Sequence, residues 1–316
     1  MTPEQIKKHA EILSNRVKKR FRHLSRKFRK QDIDCFRLYD WDIPEVRAVV
    51  DWYSGHLVVA EYVRFQTGEE WLPEMAKAVA RTLNIPPEQT FVKRRRTKTE
   101  DEPRYSKMDS RNQRFAVKER NLKFWVNLSD FLDTGLYSDH RDTRVMVSGL
   151  AKDKDFLNLF AYTGAFSCAA ALGKAKTTTS VDRSATYIKW AKDNLKLNCL
   201  EGKNHCFVQS DTGKFLLNSF HDGKRFDLAF VDPPSFFQDR SGEVSFDINR
   251  DHPDLLSGVI RVMRPGGIIL FSTNHQRFEP RLEGIPVNNL IEITEETIPE
   301  DYRNRQIHRL WRMEIK

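Results

Sequence analysis

From residue 136 to the C-terminus, short runs of β-branched and aromatic residues take turns with longer stretches of helical periodicity. This alternation restricts the fold more than any other feature of the 316-residue chain. Strands are expected at Asp155–Phe160, Thr177–Asp182, His205–Gln209, Phe226–Asp232, Gly267–Thr273, Ile291–Thr294 and Ile307–Ile315. Helices are expected at Ser138–Ala151, Ala165–Gly173, Ser184–Asn198, Thr212–Phe220 and Ile248–Met263. Parallel neighbours need a crossover long enough to hold a helix. The order therefore predicts an α/β fold with a mainly parallel seven-stranded sheet, covered by helices on both faces. The last strand should run antiparallel, because Glu300–Gln306 allows only a short connection into it.

Upstream the pattern changes. Residues 31–135 read as a smaller α+β domain, with strands at Phe36–Tyr39, Val46–Tyr53, Leu57–Phe65, Phe91–Arg96, Phe115–Glu119 and Leu122–Asn127 and a helix at Glu70–Leu83. Ser54-Gly55 supplies a hairpin turn. Before it, Ile6, Ile12, Leu13, Val17, Phe21, Leu24 and Phe28 recur at three- and four-residue steps, which predicts one amphipathic helix over 4–30. The expected division is 1–30, 31–135 and 136–316.

The net charge of +9 is concentrated in that first helix, where eleven Lys/Arg stand against two Glu in residues 1–30. A cationic face of this kind suits RNA, since each Lys or Arg that meets a phosphate releases counterions. Lys18, Lys19, Arg20, Arg22, Arg26 and Lys27 are the candidates, followed by a second cluster at Lys93, Arg94, Arg95 and Arg96. A solvated surface is the alternative for any such run. The aromatics Trp52, Tyr53, Tyr62, Phe65 and Trp125 can stack on bases, although strand aromatics more often fill a core. Cys35, Cys168, Cys199 and Cys206 form no metal-like spacing with the nine histidines. No apolar run reaches the ~18 residues of a membrane span. A cytoplasmic protein with no membrane partner and no metal is expected.

In an open α/β sheet, ligands bind beyond the carboxyl ends of the strands. After the first strand stands Asn158-Leu-Phe-Ala-Tyr-Thr-Gly164, with one turn glycine and no GxGxxG, so a pyrophosphate cradle and a dehydrogenase are disfavoured. Asp182 ends the second strand, where a carboxylate can accept both hydroxyls of a ribose. Asp211 follows the third and can accept from an adenine amino group. Both can instead cap the helices behind them. The fourth strand ends in Asp232-Pro233-Pro234-Ser235-Phe236, a rigid extended segment without backbone donors at either proline. Asp232 points into the crevice in this reading, and Phe236 can stack on a base.

In this order the positions resemble the class I S-adenosylmethionine methyltransferases, with their Rossmann-like fold. Cys35–Pro44, Thr134–Arg141, Asp155–Gly164, Val181–Ser184, Val231–Phe236 and Arg303–His308 are similar to the RlmK-type 23S rRNA guanine-N7 methyltransferases. The likeness runs from about residue 12 to the end. It implies S-adenosylmethionine as cofactor and 23S rRNA or a large-subunit assembly intermediate as partner. It also implies a pocket of Asp139, Phe160, Thr163, Gly164, Asp182, Asp211 and Asp232, with Asn158, Tyr162, Arg183 and Ser184 from the same motifs. Asp139 would meet the methionine ammonium, and Arg141 either the methionine carboxylate or an acidic neighbour.

Cytosine C5 methylation needs a Cys thiolate to attack the ring first. The ends of the fourth and fifth strands read Asp232-Pro-Pro-Ser235 and Phe271-Ser-Thr-Asn274, with no Cys. Guanine N7 is already nucleophilic and loses no proton on methylation, so positioning alone can serve. Catalytic roles are therefore expected for Asp232, Pro233, Pro234 and Phe236 on a flipped-out guanine. The alternatives are cytosine C5, guanine N2 or adenine N6 in rRNA, or a small-molecule substrate.

Overall fold

The computed structural model describes residues 1–62, 68–95, 109, 111–238 and 244–316. The chain divides into two compact units: Met1–Ser138 with Glu300–Asn304, and Asp139–Pro299 with Arg305–Lys316.

The first unit opens with α1 (Pro3–Arg29), started by a Thr2/Gln5 capping box. Leu13, Val17, Leu24 and Phe28 are buried on one side of it. β1 (Cys35–Asp40), β2 (Ala48–Tyr53) and β3 (His56–Tyr62) follow, then α2 (Trp71–Leu83) and β4 (Thr90–Arg95). β1, β2 and β3 pair antiparallel in the order β1-β2-β3-β4, and β3 pairs with β4 in parallel. That parallel pair was not expected from the alternation alone; α2 is its crossover. The Ser54-Gly55 turn has φ of 44° and 92°, as a two-residue hairpin requires. β5 (Phe115–Glu119) and β6 (Leu122–Val126) make a separate hairpin. The stripe of α1 shares one core with Leu38, Val50, Val59, Trp71, Met75 and Val79, so α1 is part of this unit's interior. The C-terminal part of the expected Leu57–Phe65 strand falls outside the described residues.

In the second unit a 3-10 turn, Ser138–His140, leads into α3 (Arg141–Leu150). Then come β7 (Asp155–Leu159), α4 (Ala165–Leu172), β8 (Thr177–Asp182), α5 (Ala185–Leu197), β9 (His205–Gln209) and α6 (Thr212–His221). The rest is β10 (Phe226–Val231), a hairpin of β11 (Phe236–Gln238) and β12 (Val244–Asp247), α7 (Ile248–Ile260), β13 (Met263–Thr273), β14 (Val287–Glu292), α8 (Thr294–Thr297) and β15 (Arg309–Ile315). The seven-stranded sheet has the order β14-β15-β13-β10-β7-β8-β9. β15 alone runs against the others.

Side chains alternate between the two faces. Leu157, Ala229, Val231, Ile269 and Phe271 pack with α6 and α7, and Phe156, Leu228, Phe230, Ile268 and Leu270 pack with α3 and α4. Several expected boundaries shift here, and β13 starts at Met263 and not Gly267. α7 stops at Ile260 and not Met263, because Met263 already pairs with Phe226 as the first residue of β13. The strand expected at Ile291–Thr294 lies earlier, at Val287–Glu292, and Thr294 begins α8. The β11–β12 hairpin was not expected.

From β7 the chain moves outward to β8 and β9, then returns to place β10 on the other side of β7. The switch point lies between β7 and β10, the place where open α/β sheets receive their ligands.

Candidate active site

Strand polarity brings the chemistry to one edge of the sheet. Read across it, that edge carries His308 before the antiparallel β15, Ser272 near the end of β13, Asp232 after β10, the 160–164 loop after β7, Asp182 ending β8 and Asp211 after β9.

The 160–164 loop is strained. Phe160, Tyr162 and Gly164 have φ of 56°, 49° and 74°, the left-handed region that two bulky side chains enter only under constraint. Three contacts hold it. Tyr162 N–H donates to Asp182 Oδ2 at 2.9 Å, Thr163 C=O accepts from Asn194 Nδ2 at 2.8 Å, and Gly164 lies flush against α5. A Cβ on Gly164 would stand 2.6 Å from Ala191 Cβ. Asp182 also accepts from Ser184 N–H at 2.8 Å, and Ser184 caps α5 through Tyr187 N–H. Burial pushes the Asp182 carboxyl up, while the Ser184 and Tyr162 amides pull it down. Each carboxylate oxygen still has a lone pair for a ligand hydroxyl. Asp211 caps α6 through Lys214 N–H at 3.1 Å, so the capping role foreseen for it is real. Its other oxygen lies 3.9 Å from Arg183, whose guanidinium sits 4.0 Å above the Phe237 ring.

After β10, Pro233 is buried and Asp232 and Pro234 are half-buried. Ser235 Oγ donates to Asn274 Oδ1 at 3.1 Å. Phe236 is 48% exposed and meets His275 edge-on at 5.5 Å. Burial pushes the Asp232 carboxyl up to about 6, and a hydrogen bond from Ser272 opposes the rise. Asp232 Oδ2 lies 3.8 Å from His140 Nε2.

Behind Asp232 is a buried polar cluster. His140 and His308 stack with centroids 3.9 Å apart and planes 14° apart. His308 Nδ1 is 3.0 Å from Asp139 Oδ2, and its Nε2 is 3.1 Å from Thr297 Oγ1. His140 reaches Thr143 Oγ1 at 3.3 Å and Ser272 Oγ at 3.4 Å. Burial, and then His308, push His140 well below its ordinary range, so it is neutral. Asp139, His140 and His308 bring possible ligand atoms within 4.8 Å of one another. A shared metal does not fit, because nitrogen lone pairs lie in the ring planes and near-parallel planes offer no common point. The role of this cluster was missed from sequence. His308 closes a motif but lies well over a hundred residues from Asp139, and Phe271-Ser-Thr-Asn274 carries no sequence signal beyond its lack of Cys.

Other candidates are redirected. Asn158 is buried and donates to Ser167 Oγ at 3.0 Å, which bonds Ser180 Oγ at 2.7 Å, so its side chain fastens α4 to the sheet. Arg141 is buried at the start of α3. Among the RNA candidates, Lys93 is a correction: it is buried, and its ammonium donates to the carbonyls of Phe131 and Leu132 at 2.7 and 3.1 Å. Its position on an inward-facing site of β4 outweighs its place in a basic run. Arg94 is likewise held, pairing with Glu61 at 3.2 Å and donating to the Glu69 carbonyl. The Arg95 side chain and Arg96 lie outside the described residues. Lys18, Lys19, Arg22 and Arg26 are exposed on α1, whereas Arg20 donates to the Asp301 carbonyl at 2.8 Å and Lys27 pairs with Glu300 at 2.5 Å.

The comparisons with known proteins agree with this layout. SMU.776, a candidate methyltransferase solved with SAH, matches with a TM-score of 0.78 and 21% identity over 98% of this chain and 82% of that one. A SAM-dependent methyltransferase from Agrobacterium tumefaciens gives 0.64 and 19%, over 90% and 91%. The M. jannaschii tRNA m1G37 methyltransferase gives 0.55 and 15%, over 94% and 77%. These likenesses speak for the fold. Residues 41–286 match the S-adenosylmethionine-dependent methyltransferase family, so the chain belongs to that family and S-adenosylmethionine is its cofactor.

Proposed function

We propose that this enzyme methylates guanine N7 in 23S rRNA, on a base flipped out of its stack and without a covalent intermediate. The observation that carries the reading is the end of β10, where Asp232-Pro-Pro-Ser235 opens beside the switch point with an acceptor and no thiol. Cys168 is buried in α4 with its thiol pushed far up by burial, Cys35 is buried in β1, and Cys206 lies on the edge strand β9. Cys199 follows the C-terminus of α5, so none of the four stands at the end of β10 or β13, where cytosine C5 chemistry would need its nucleophile.

S-adenosylmethionine supplies an electrophilic methyl group carried on a sulfonium. The row of acceptors suits a ligand with an ammonium, a ribose and an adenine and no phosphate. Asp139 would hold the ammonium, Asp182 the ribose hydroxyls and Asp211 the adenine amino group. Phe160, Tyr162, Thr163, Gly164, Arg183 and Ser184 would line the space between, and Arg141 would serve the methionine carboxylate. Asp232, once ionised, accepts from the guanine N1–H or N2 amino group and fixes the base, and Phe236 stacks on it. Guanine N7 needs no general base. Exposed Lys18, Lys19, Arg22 and Arg26 on α1 would hold flanking phosphates. A guanine substrate is also in keeping with the M. jannaschii tRNA m1G37 methyltransferase, whose fold is similar.

The test is methyl transfer from labelled S-adenosylmethionine to 23S rRNA and its fragments, followed by nucleoside mass spectrometry. 7-Methylguanosine at one site is expected. Label in 5-methylcytidine, N2-methylguanosine or N6-methyladenosine, or in no nucleoside, would replace this reading.

A further inference from the structure

His308 touches none of the groups assigned a substrate role except Asp139. Its Nε2 lies 3.1 Å from Thr297 Oγ1, which itself stands 2.8 Å from the Thr294 carbonyl. Its Nδ1 stands 3.0 Å from Asp139 Oδ2. A carboxylate oxygen only accepts, so the hydrogen of that bond is carried by Nδ1.

We propose that His308 is a positioning residue whose Nδ1–H orients the Asp139 carboxylate for the ammonium of the cofactor. The proposal rests on the placement of Asp139 under Proposed function. His308 is 1% exposed and Asp139 is on the half-buried turn before α3, so the pair is shielded and its charge-assisted bond is strong. One face of its ring is covered by the His140 ring, which leaves only the edge free to turn. Thr297, on α8, sets the ring's rotation from behind.

The experiment uses the full chain and two probes: S-adenosylhomocysteine, and 5′-methylthioadenosine, which keeps the adenosine but lacks the amino-acid end. By titration calorimetry, His308→Ala should weaken S-adenosylhomocysteine about tenfold or more, the effect of losing a charge-assisted bond. Methylthioadenosine should stay within about twofold. His308→Asn, whose amide nitrogen can stand where Nδ1 stood, should recover most of the loss. In the ligand-free wild-type chain with 15N-labelled histidine, Nδ1 of His308 should carry a hydrogen, a reading that needs no variant to fold. Equal weakening of both probes, no weakening, or an Nδ1 without a hydrogen would overturn the proposal. If wild-type protein binds neither probe, or Asp182→Ala leaves both unchanged, the assignment of the acceptor row falls, and the proposal with it.

Discussion

Asp232 illustrates what one carboxyl does at a strand end. Its folded-state pKa is pushed up to about 6, mainly because burial disfavours the anion. At low pH both folded and unfolded chains hold this proton. As pH rises from about 4 to 6, the unfolded chain loses it first, so stability falls across that window and levels off above it. Asp232→Asn should remove the penalty, gaining on the order of 2 kcal/mol at pH 7.5 and progressively less toward pH 4. Denaturant melts at the two pH values check this, and an equal effect at both would refute it. Methyl transfer should move the opposite way, rising through pH 6 as the carboxylate forms and being lost in the Asn variant. Gly164 is a second single-residue device. Its φ of 74° and the 2.6 Å approach to Ala191 leave no room for a methyl group. Gly164→Ala is expected to destabilise by roughly 1–3 kcal/mol and to weaken S-adenosylhomocysteine binding in calorimetry.

At the scale of the element, the two faces of α1 separate core packing from the proposed contact with RNA. Leu13, Val17, Leu24 and Phe28 are each 2% exposed or less. Removing residues 1–30 to test RNA binding would therefore empty the core of the first unit. Phe28→Ala alone should cost about 3–5 kcal/mol, read as a lower thermal midpoint. The informative experiment changes only the outer face. Replacing Lys18, Lys19, Arg22 and Arg26 by Gln should leave the midpoint nearly unchanged. If they meet four phosphates, the slope of log K against log[salt] for RNA binding should shrink by roughly three to four. An unchanged slope would assign α1 another role.

For the whole molecule, the division of the chain is not a single cut. Glu300–Asn304 belongs to the first unit although it lies near the C-terminus. Asp301 is fully buried and accepts from Arg37 N–H at 2.8 Å, the Arg37 guanidinium lies 4.4 Å over the Tyr302 ring, and Tyr302 OH meets Ser138 Oγ at 2.7 Å. A fragment ending at residue 138 lacks all of these. It is expected to be markedly less stable than the same region in the full chain, measured by proteolysis or hydrogen exchange. Equal protection would show that the segment is dispensable.

What the sequence determined by itself is whatever depends on neighbours in the chain. The period-two strands β8 and β9 were placed at their observed ends, and the long helices within a few residues, because periodicity and capping are local. The order of βα units also sufficed for the sheet and for the edge where Gly164, Asp182, Asp211 and Asp232 would meet. The rest depends on contacts between segments far apart in the chain. Lys93 and Asn158 have functional-looking neighbours in sequence, but their inward positions spend their polar groups on the fold. His308, Ser272 and Thr297 look ordinary in sequence and become a network only because antiparallel β15 starts where parallel β13 and β10 end. Local pattern specifies an element and its faces, whereas hydrogen-bond partners are set by which strand ends the topology brings together.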